Sequence, residues 1–194
     1  MGQTWSDIAT REVVTSLALR RLLAVMSTVV LMALSAFVRI PVPGTPVPVT
    51  LQTFVVLLSG ALLGRRLGPV CQAFYVALGS IGLPIFTGAV GGFFLSLPTG
   101  GYLLGFPGAA VVLGVLLDTD RGRSRLAVLG AMVLASALIY LLGAAHLARV
   151  MSLTPQRALE SGVLPFLIGD GIKLLAAAEL YRHLAPRVRV RLEL

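Results

Sequence analysis

The stretch Leu164-Pro-Phe-Leu-Ile-Gly-Asp-Gly-Ile-Lys-Leu-Leu-Ala-Ala-Ala-Glu-Leu-Tyr-Arg-His-Leu-Ala185 sets Asp170 and Lys173 inside an otherwise apolar run. Lys173 is the only lysine of the chain; every other basic residue is arginine. Pro165 suits the first turn of a helix and Pro186 closes it. A helix over 165–185 is about 31 Å long at ~1.5 Å per residue, enough to cross a bilayer core. Asp170 and Lys173 then lie roughly 8 and 12 Å below the Pro165 end, and their spacing of three puts both on one face. Charges at membrane depth cost about 2.5–3.5 kcal/mol each, face a bundle interior or a wet cavity, and often mark a ligand or ion path. Gly169 and Gly171 strip side chains from around the carboxylate, so that a ligand can approach closely. The plainer alternative is a structural ion pair that locks helix packing.

Composition agrees with a membrane setting. The 194 residues are 57% hydrophobic and 12% charged, with a mean hydropathy of +0.93, where a soluble domain is about 25% charged. The expectation is an all-α integral membrane protein with little room for a soluble domain. A net charge of +8 does not imply nucleic acid, because the arginines sit in short clusters between apolar runs, with no basic face of interleaved aromatics. The single Cys71 excludes an internal disulfide and reads as packing. No cleavable signal-peptide pattern is evident.

Hydropathy divides the chain into a polar N-terminal segment (1–17), a membrane domain (18–185) and a basic tail (186–194). Six spans are expected, near 17–37, 51–63, 69–81, 101–117, 126–149 and 165–185. Arg20, Arg21 and Arg39 mark the ends of the first as snorkelling sites. Pro41, Pro43, Pro46 and Pro48 exclude helix over 40–49 and favour an extended strap. Thr50 is an N-cap candidate for the second span, which Gly64 ends, with Arg65-Arg66 as the turn. The second and third spans hold about 13 residues each, short of the ~20 that cross a bilayer alone. Between the third and fourth spans, 82–100 is apolar yet too rich in Gly and Pro for a straight helix. Irregular backbone at membrane depth is buried in protein or lines a cavity, so this segment is expected to cap a pocket. A short surface helix is expected after Thr154-Pro155. Six spans put twelve arginines on the side of the termini and three (Arg39, Arg149, Arg157) on the other. The positive-inside rule then places both termini in the cytoplasm and the pocket outward.

No Walker A loop, His-Glu-x-x-His or Cys-x-x-Cys occurs, so the chain carries no ATP site of its own, no metal site and no cofactor motif. An enzyme reading is weak. His146 reads as a packing residue and His183 as a cation at a helix end. What remains is a pocket with one carboxylate, one ammonium, polar groups such as Gln52 and Thr99, and aromatics including Phe86, Phe93 and Tyr102. Few convergent polar groups in an apolar wall is the usual form of a small-ligand site. A carboxylate accepts N–H donors and an ammonium attracts an anion, which suits a molecule with an amide- or urea-like end and an acidic end.

Six stretches carry a resemblance: Arg39-Ile-Pro-Val-Pro-Gly44, Pro46-Val-Pro-Val-Thr-Leu-Gln-Thr53, Leu58-Ser-Gly-Ala-Leu-Leu-Gly64, Gly79-Ser-Ile-Gly-Leu-Pro-Ile-Phe86, Pro98-Thr-Gly-Gly-Tyr-Leu-Leu-Gly-Phe106 and Pro165-Phe-Leu-Ile-Gly-Asp-Gly-Ile-Lys173. In these the chain resembles the BioY family, the biotin-binding S components of energy-coupling-factor (ECF) transporters, from about residue 18 to 185. The resemblance implies a multi-pass protein of the bacterial cytoplasmic membrane that takes up biotin and works with a coupling transmembrane protein and ABC ATPases. It implies site roles for Asp170 and Lys173 and a capping loop through Gly91, Gly92 and 98–102, and with the pocket residues named above the expected biotin site is Asp170, Lys173, Gln52, Phe86, Gly91, Gly92, Thr99 and Tyr102. Asp170 would accept a ureido N–H; Lys173 would hold the valerate carboxylate or else orient Asp170. Val90, Leu97 and Leu103 stand where some relatives carry other residues. The resemblance also implies a docking face of small residues on the first helix, here Ala24, Thr28 and Ala36 with Met32 between them; the same pattern suits internal packing. The alternatives are an S component for another vitamin, and a membrane scaffold or enzyme with a structural Asp–Lys pair.

Overall fold

The computed structural model describes residues 5–118 and 124–193, with side chains from residue 16 onward. The helices are α1 (Trp5–Phe37), α2 (Gln52–Ser80), α3 (Gly100–Leu117), α4 (Arg125–Val150), α5 (Pro155–Gly162) and α6 (Leu167–Leu192). Two short strands, β1 (Arg39–Ile40) and β2 (Val49–Thr50), and two 3₁₀ turns, Phe94–Ser96 and Leu164–Phe166, complete the described elements. Ser16–Phe37, Gln52–Ser80, Gly100–Leu117 and Arg125–Val150 are long and apolar enough to cross a membrane.

One of these four, α2, is two arms folded on each other. Gly64 leaves the helical region at φ 69°, ψ −173°. Beyond it, Tyr75 Oη accepts a 2.9 Å hydrogen bond from Gln52 Nε2 and Ser59 Oγ accepts one of 3.0 Å from Gln72 Nε2. A straight helix would hold Gln52 and Tyr75 about 35 Å apart. The arms, 52–63 and 65–80, are about 18 and 24 Å long, each shorter than a ~30 Å hydrocarbon core. The expected turn at Arg65-Arg66 is not there: the reversal is made at Gly64 alone, and both arginines already belong to the second arm. The backbone angles of Gly64 lie in a region only glycine enters readily, and a Cβ would stand 2.8 Å from Asp118 Oδ1. Gly64→Ala is therefore expected to cost about 2 kcal/mol or more, read as a lowered thermal unfolding midpoint in detergent. An unchanged midpoint would contradict this account of the hairpin.

The arms of α2 pack on α3, and α3 packs on α4. Val56, Leu57, Leu113, Met132, Ile139 and Tyr181 are almost wholly buried there. α1 is peripheral, with Leu22, Leu23, Val30, Leu31 and Leu34 more than half exposed, as suits a lipid-facing helix. Of its stripe, Thr28, Met32 and Ala36 are buried and Ala24 is half-buried.

Asp118, Arg65 and Arg189 gather at one end of the bundle, with Arg65 Nε 3.6 Å and Arg189 Nη1 3.4 Å from the two Asp118 oxygens. Pro186 does not close α6, which runs on to Leu192. Proline removes one backbone donor. The turn beyond it is held by tertiary bonds: Arg189 Nη2 donates to Ala61 O at 3.2 Å and Arg21 Nε to Leu192 O at 3.1 Å.

Loops gather at the opposite end. The four prolines do not form an extended strap; β1 and β2 pair antiparallel, with Arg39 opposite Thr50 and Ile40 opposite Val49. The prolines fall in the loop this ladder closes, where no ladder N–H is needed. Thr50 lies in β2, although its hydroxyl still accepts from Gln52 N at 3.4 Å. Residues 81–99 run irregularly through a Phe86–Val90 bridge and the Phe94–Ser96 turn. Pro165 falls in the Leu164–Phe166 turn just ahead of α6, and α5 begins at Pro155, capped by the Thr154 hydroxyl. Most of the connection between the expected fourth and fifth spans, 119–123, lies outside the described residues.

Candidate functional site

Asp170 sits in the first turn of α6 and Lys173 one turn further along the same face. Lys173 Nζ donates to Asp170 Oδ1 at 2.6 Å, and both side chains are about one-seventh exposed, 14% each. Thr53 Oγ1 donates to the same oxygen at 3.0 Å, and Tyr140 Oη donates to Oδ2 at 2.6 Å. Lys173 Nζ also donates to Thr50 O at 2.6 Å. The carboxylate thus joins α2, α4, α6 and the end of β2. A carboxylate has about four acceptor positions; three are filled from the protein, which leaves one.

Asp170 faces a cavity of about 550 Å³, open mouth included, walled by Val47, Val49, Leu103, Phe106 and Phe166 with Thr53, Tyr102 and Tyr140 among them. Gln52, Thr87 and Thr99 also line it. Gln52 Oε1 accepts from Thr50 Oγ1 (3.3 Å) and Thr87 Oγ1 (2.8 Å) while its Nε2 donates to Tyr75. It thereby ties the Gly-rich loop to the α2 hairpin. Tyr102 Oη donates to Gly162 O at 2.6 Å, so its ring, rather than its hydroxyl, is what a ligand meets. The Thr99 hydroxyl has no partner among the described residues.

A second cavity, about 950 Å³ with its open mouth, adjoins the first through Pro48, Thr87 and Thr99. Arg39 is the one charged residue in its lining, and Val90 and Leu97 stand there too. The inner compartment therefore holds a carboxylate and the outer one a guanidinium. His146 stays outside both and bonds the carbonyl of Leu97 at 3.0 Å, tying the loop to α4.

Of the residues expected at the site, Asp170, Gln52, Thr99 and Tyr102 line the inner cavity, and Lys173 backs it through Asp170. Phe86 does not line it: the ring is buried, edge-on to Tyr75 with centroids 5.6 Å apart. Gly91 lies against the backbone of Gly82 and Leu83, and Gly92 N donates to Gly79 O at 2.8 Å; both belong to the loop's own framework. The space beside Gly169 is bounded by Val49, and that beside Gly171 is open. Thr53, Tyr140 and Arg39 escaped the sequence reading. A tyrosine in mid-span needs a partner for its hydroxyl, which is the signal Tyr140 offered. Arg39, read as a snorkelling residue, reaches the outer cavity instead.

The BioY family model matches residues 8–190. This chain belongs to the BioY family. Among relatives of this BioY chain, the probable biotin transporter BioY of Pyrococcus horikoshii is 37% identical over 140 residues, 72% of this chain and 81% of that protein. The biotin transporter BioY of Thermotoga maritima is 37% identical over 149 residues, 76% of this chain and 85% of that one. The fold matches the crystal structure of an S-component for biotin from an ECF-type ABC transporter with a TM-score of 0.80, over 96% of both chains at 23% identity. Family membership and the apolar helices make this BioY chain a multi-pass membrane protein.

Proposed function

We propose that this chain is the biotin-binding S component of an ECF-type transporter and serves biotin uptake across the cytoplasmic membrane. The relatives named as biotin transporters support the substrate. The observation that carries the reading onto this chain is the braced carboxylate. Asp170 is fixed by three donors, with one acceptor position left on the cavity that it lines. A ureido N–H fills that position. Lys173 orients Asp170 rather than gripping the ligand, because two of its three N–H groups are already bonded inward. The valerate carboxylate then runs outward to Arg39 in the adjoining cavity. Phe86, Gly91 and Gly92 shape the loop above the ligand.

In the membrane we place six crossings, counting the arms of α2 separately, both termini in the cytoplasm and the cavities outward. The division into 1–17, 18–185 and 186–194 is kept for this topology, with residues 186–192 helical. The relatives named as transporters and the S-component fold neighbour support a transport subunit rather than an enzyme, energised by a coupling membrane protein and ABC ATPases.

Two measurements test this. In a competition panel against labelled biotin, unlabelled biotin displaces the label while thiamine, riboflavin and pantothenate do not; displacement by one of those three in place of biotin overturns the substrate. Arg39→Gln is expected to weaken biotin about tenfold or more, the worth of a charge-assisted hydrogen bond, yet leave biotin amide unchanged. Equal losses for both ligands would remove Arg39 from the carboxylate.

A further inference from the structure

An apolar groove of about 1040 Å³, open on its outer side, runs between α1, the first arm of α2 and the end of α6. Ser27, Leu31 and Leu34 form one side, Leu58 the other, and Val188 and Leu192 close one end. From Ala24 on α1 to Val38 just past its end the groove extends about 21 Å, longer than the ~15 Å of one hydrocarbon leaflet. Its hydroxyls do not make it polar, because Ser27 and Thr28 both donate to Ala24 O, at 3.1 and 2.8 Å, and Ser59 to Val56 O at 3.4 Å. The groove offers hydrocarbon contact and few free hydrogen-bonding groups.

At Leu63 the groove meets a second cavity of about 690 Å³, lined by Arg21, Arg65 and Arg66 together with Asp118 and Glu193. With Arg189 beside Asp118, four guanidiniums face two carboxylates. Arg65 and Arg189 are engaged by Asp118. Arg21 is anchored by the carbonyls of Leu192 and Glu193, both at 3.1 Å, at the groove's end. Arg66 is exposed and has no ion-pair partner among the described residues.

We propose that this groove and its arginine end form a binding site for an anionic phospholipid, with an acyl chain along α1 and the headgroup phosphate at Arg21 and Arg66. Charge and shape agree at one place: the apolar channel opens into a basic chamber where a headgroup would lie. Basic pockets at the cytoplasmic ends of membrane helices bind such headgroups.

Native mass spectrometry of the full chain, delipidated and offered phosphatidylglycerol or phosphatidylcholine, tests this. Phosphatidylglycerol should be retained at least about fivefold better, with Arg66→Gln lowering that preference about fivefold, the worth of one arginine near anionic lipid. Ser27→Phe, which fills the groove, should lower retention of phosphatidylglycerol while biotin binding stays as in the wild type. Equal retention of the two lipids overturns the proposal, as does wild-type retention by both variants. So does a lipid-free dimer, which would give the groove to a second copy. Biotin binding is read separately, so failure here leaves the vitamin site standing.

Discussion

Asp170→Asn is expected to lose biotin affinity by about thirtyfold or more while the chain still folds. The substitution keeps the side chain's shape but turns an acceptor-only group into one that carries two donors. Thr53, Tyr140 and Lys173 all donate to the native carboxylate, so an amide nitrogen meets at least one of them donor to donor. Truncating one partner of a buried charged hydrogen bond costs about 2–5 kcal/mol, which is the stated loss. Stability falls as well, because Lys173 loses its counter-charge and is left with neutral acceptors such as the Thr50 carbonyl, and unpaired buried charge is destabilising. The double variant Asp170→Leu/Lys173→Met separates the two effects. Removing both charges together is often neutral for folding, so it should regain most of the melting temperature without regaining biotin. Wild-type biotin affinity in that variant would make the pair purely structural.

Gly143→Ala carries the second large effect, through Tyr102. Gly143 lies on α4 where a Cβ would meet Cδ1, Cε1 and Cζ of the Tyr102 ring. That ring is 8% exposed and pinned by its hydroxyl to Gly162 O at 2.6 Å. Overpacking of this kind costs about 1–3 kcal/mol. The ring's way out is the cavity it lines. The variant should melt lower and bind biotin more weakly at once, in calorimetric unfolding and equilibrium binding on the same preparation. A variant that melts and binds like the wild type would show that Tyr102 is not held against α4.

Features written in local spacing were legible in the sequence. A separation of three residues put Asp170 and Lys173 on one face, and they meet at 2.6 Å. Thr154-Pro155 announced α5 because capping is a local bond. The expected break at Gly64 occurs, but how sharply it turns depends on Asp118, fifty-four residues away in the chain. Contacts that close at a distance were not legible. Pro186 reads as a stop, yet Arg189 and Arg21 hold the helix beyond it. Arg39 reads as a residue reaching for headgroups, and the β1–β2 ladder, which no alternation in the sequence marks, carries it to the cavity rim. Phe86 looked like a ligand's stacking partner because it lies in an irregular loop; Tyr75 and Gly79 draw it into the core instead.

Saturation binding of labelled biotin to the purified, folded chain in nanodiscs tests the central claim most directly. The account predicts saturable binding with one biotin per chain, abolished in step with the Asp170 carboxylate. A chain that unfolds cooperatively on heating, and so is shown to be folded, yet binds no biotin above background would contradict it.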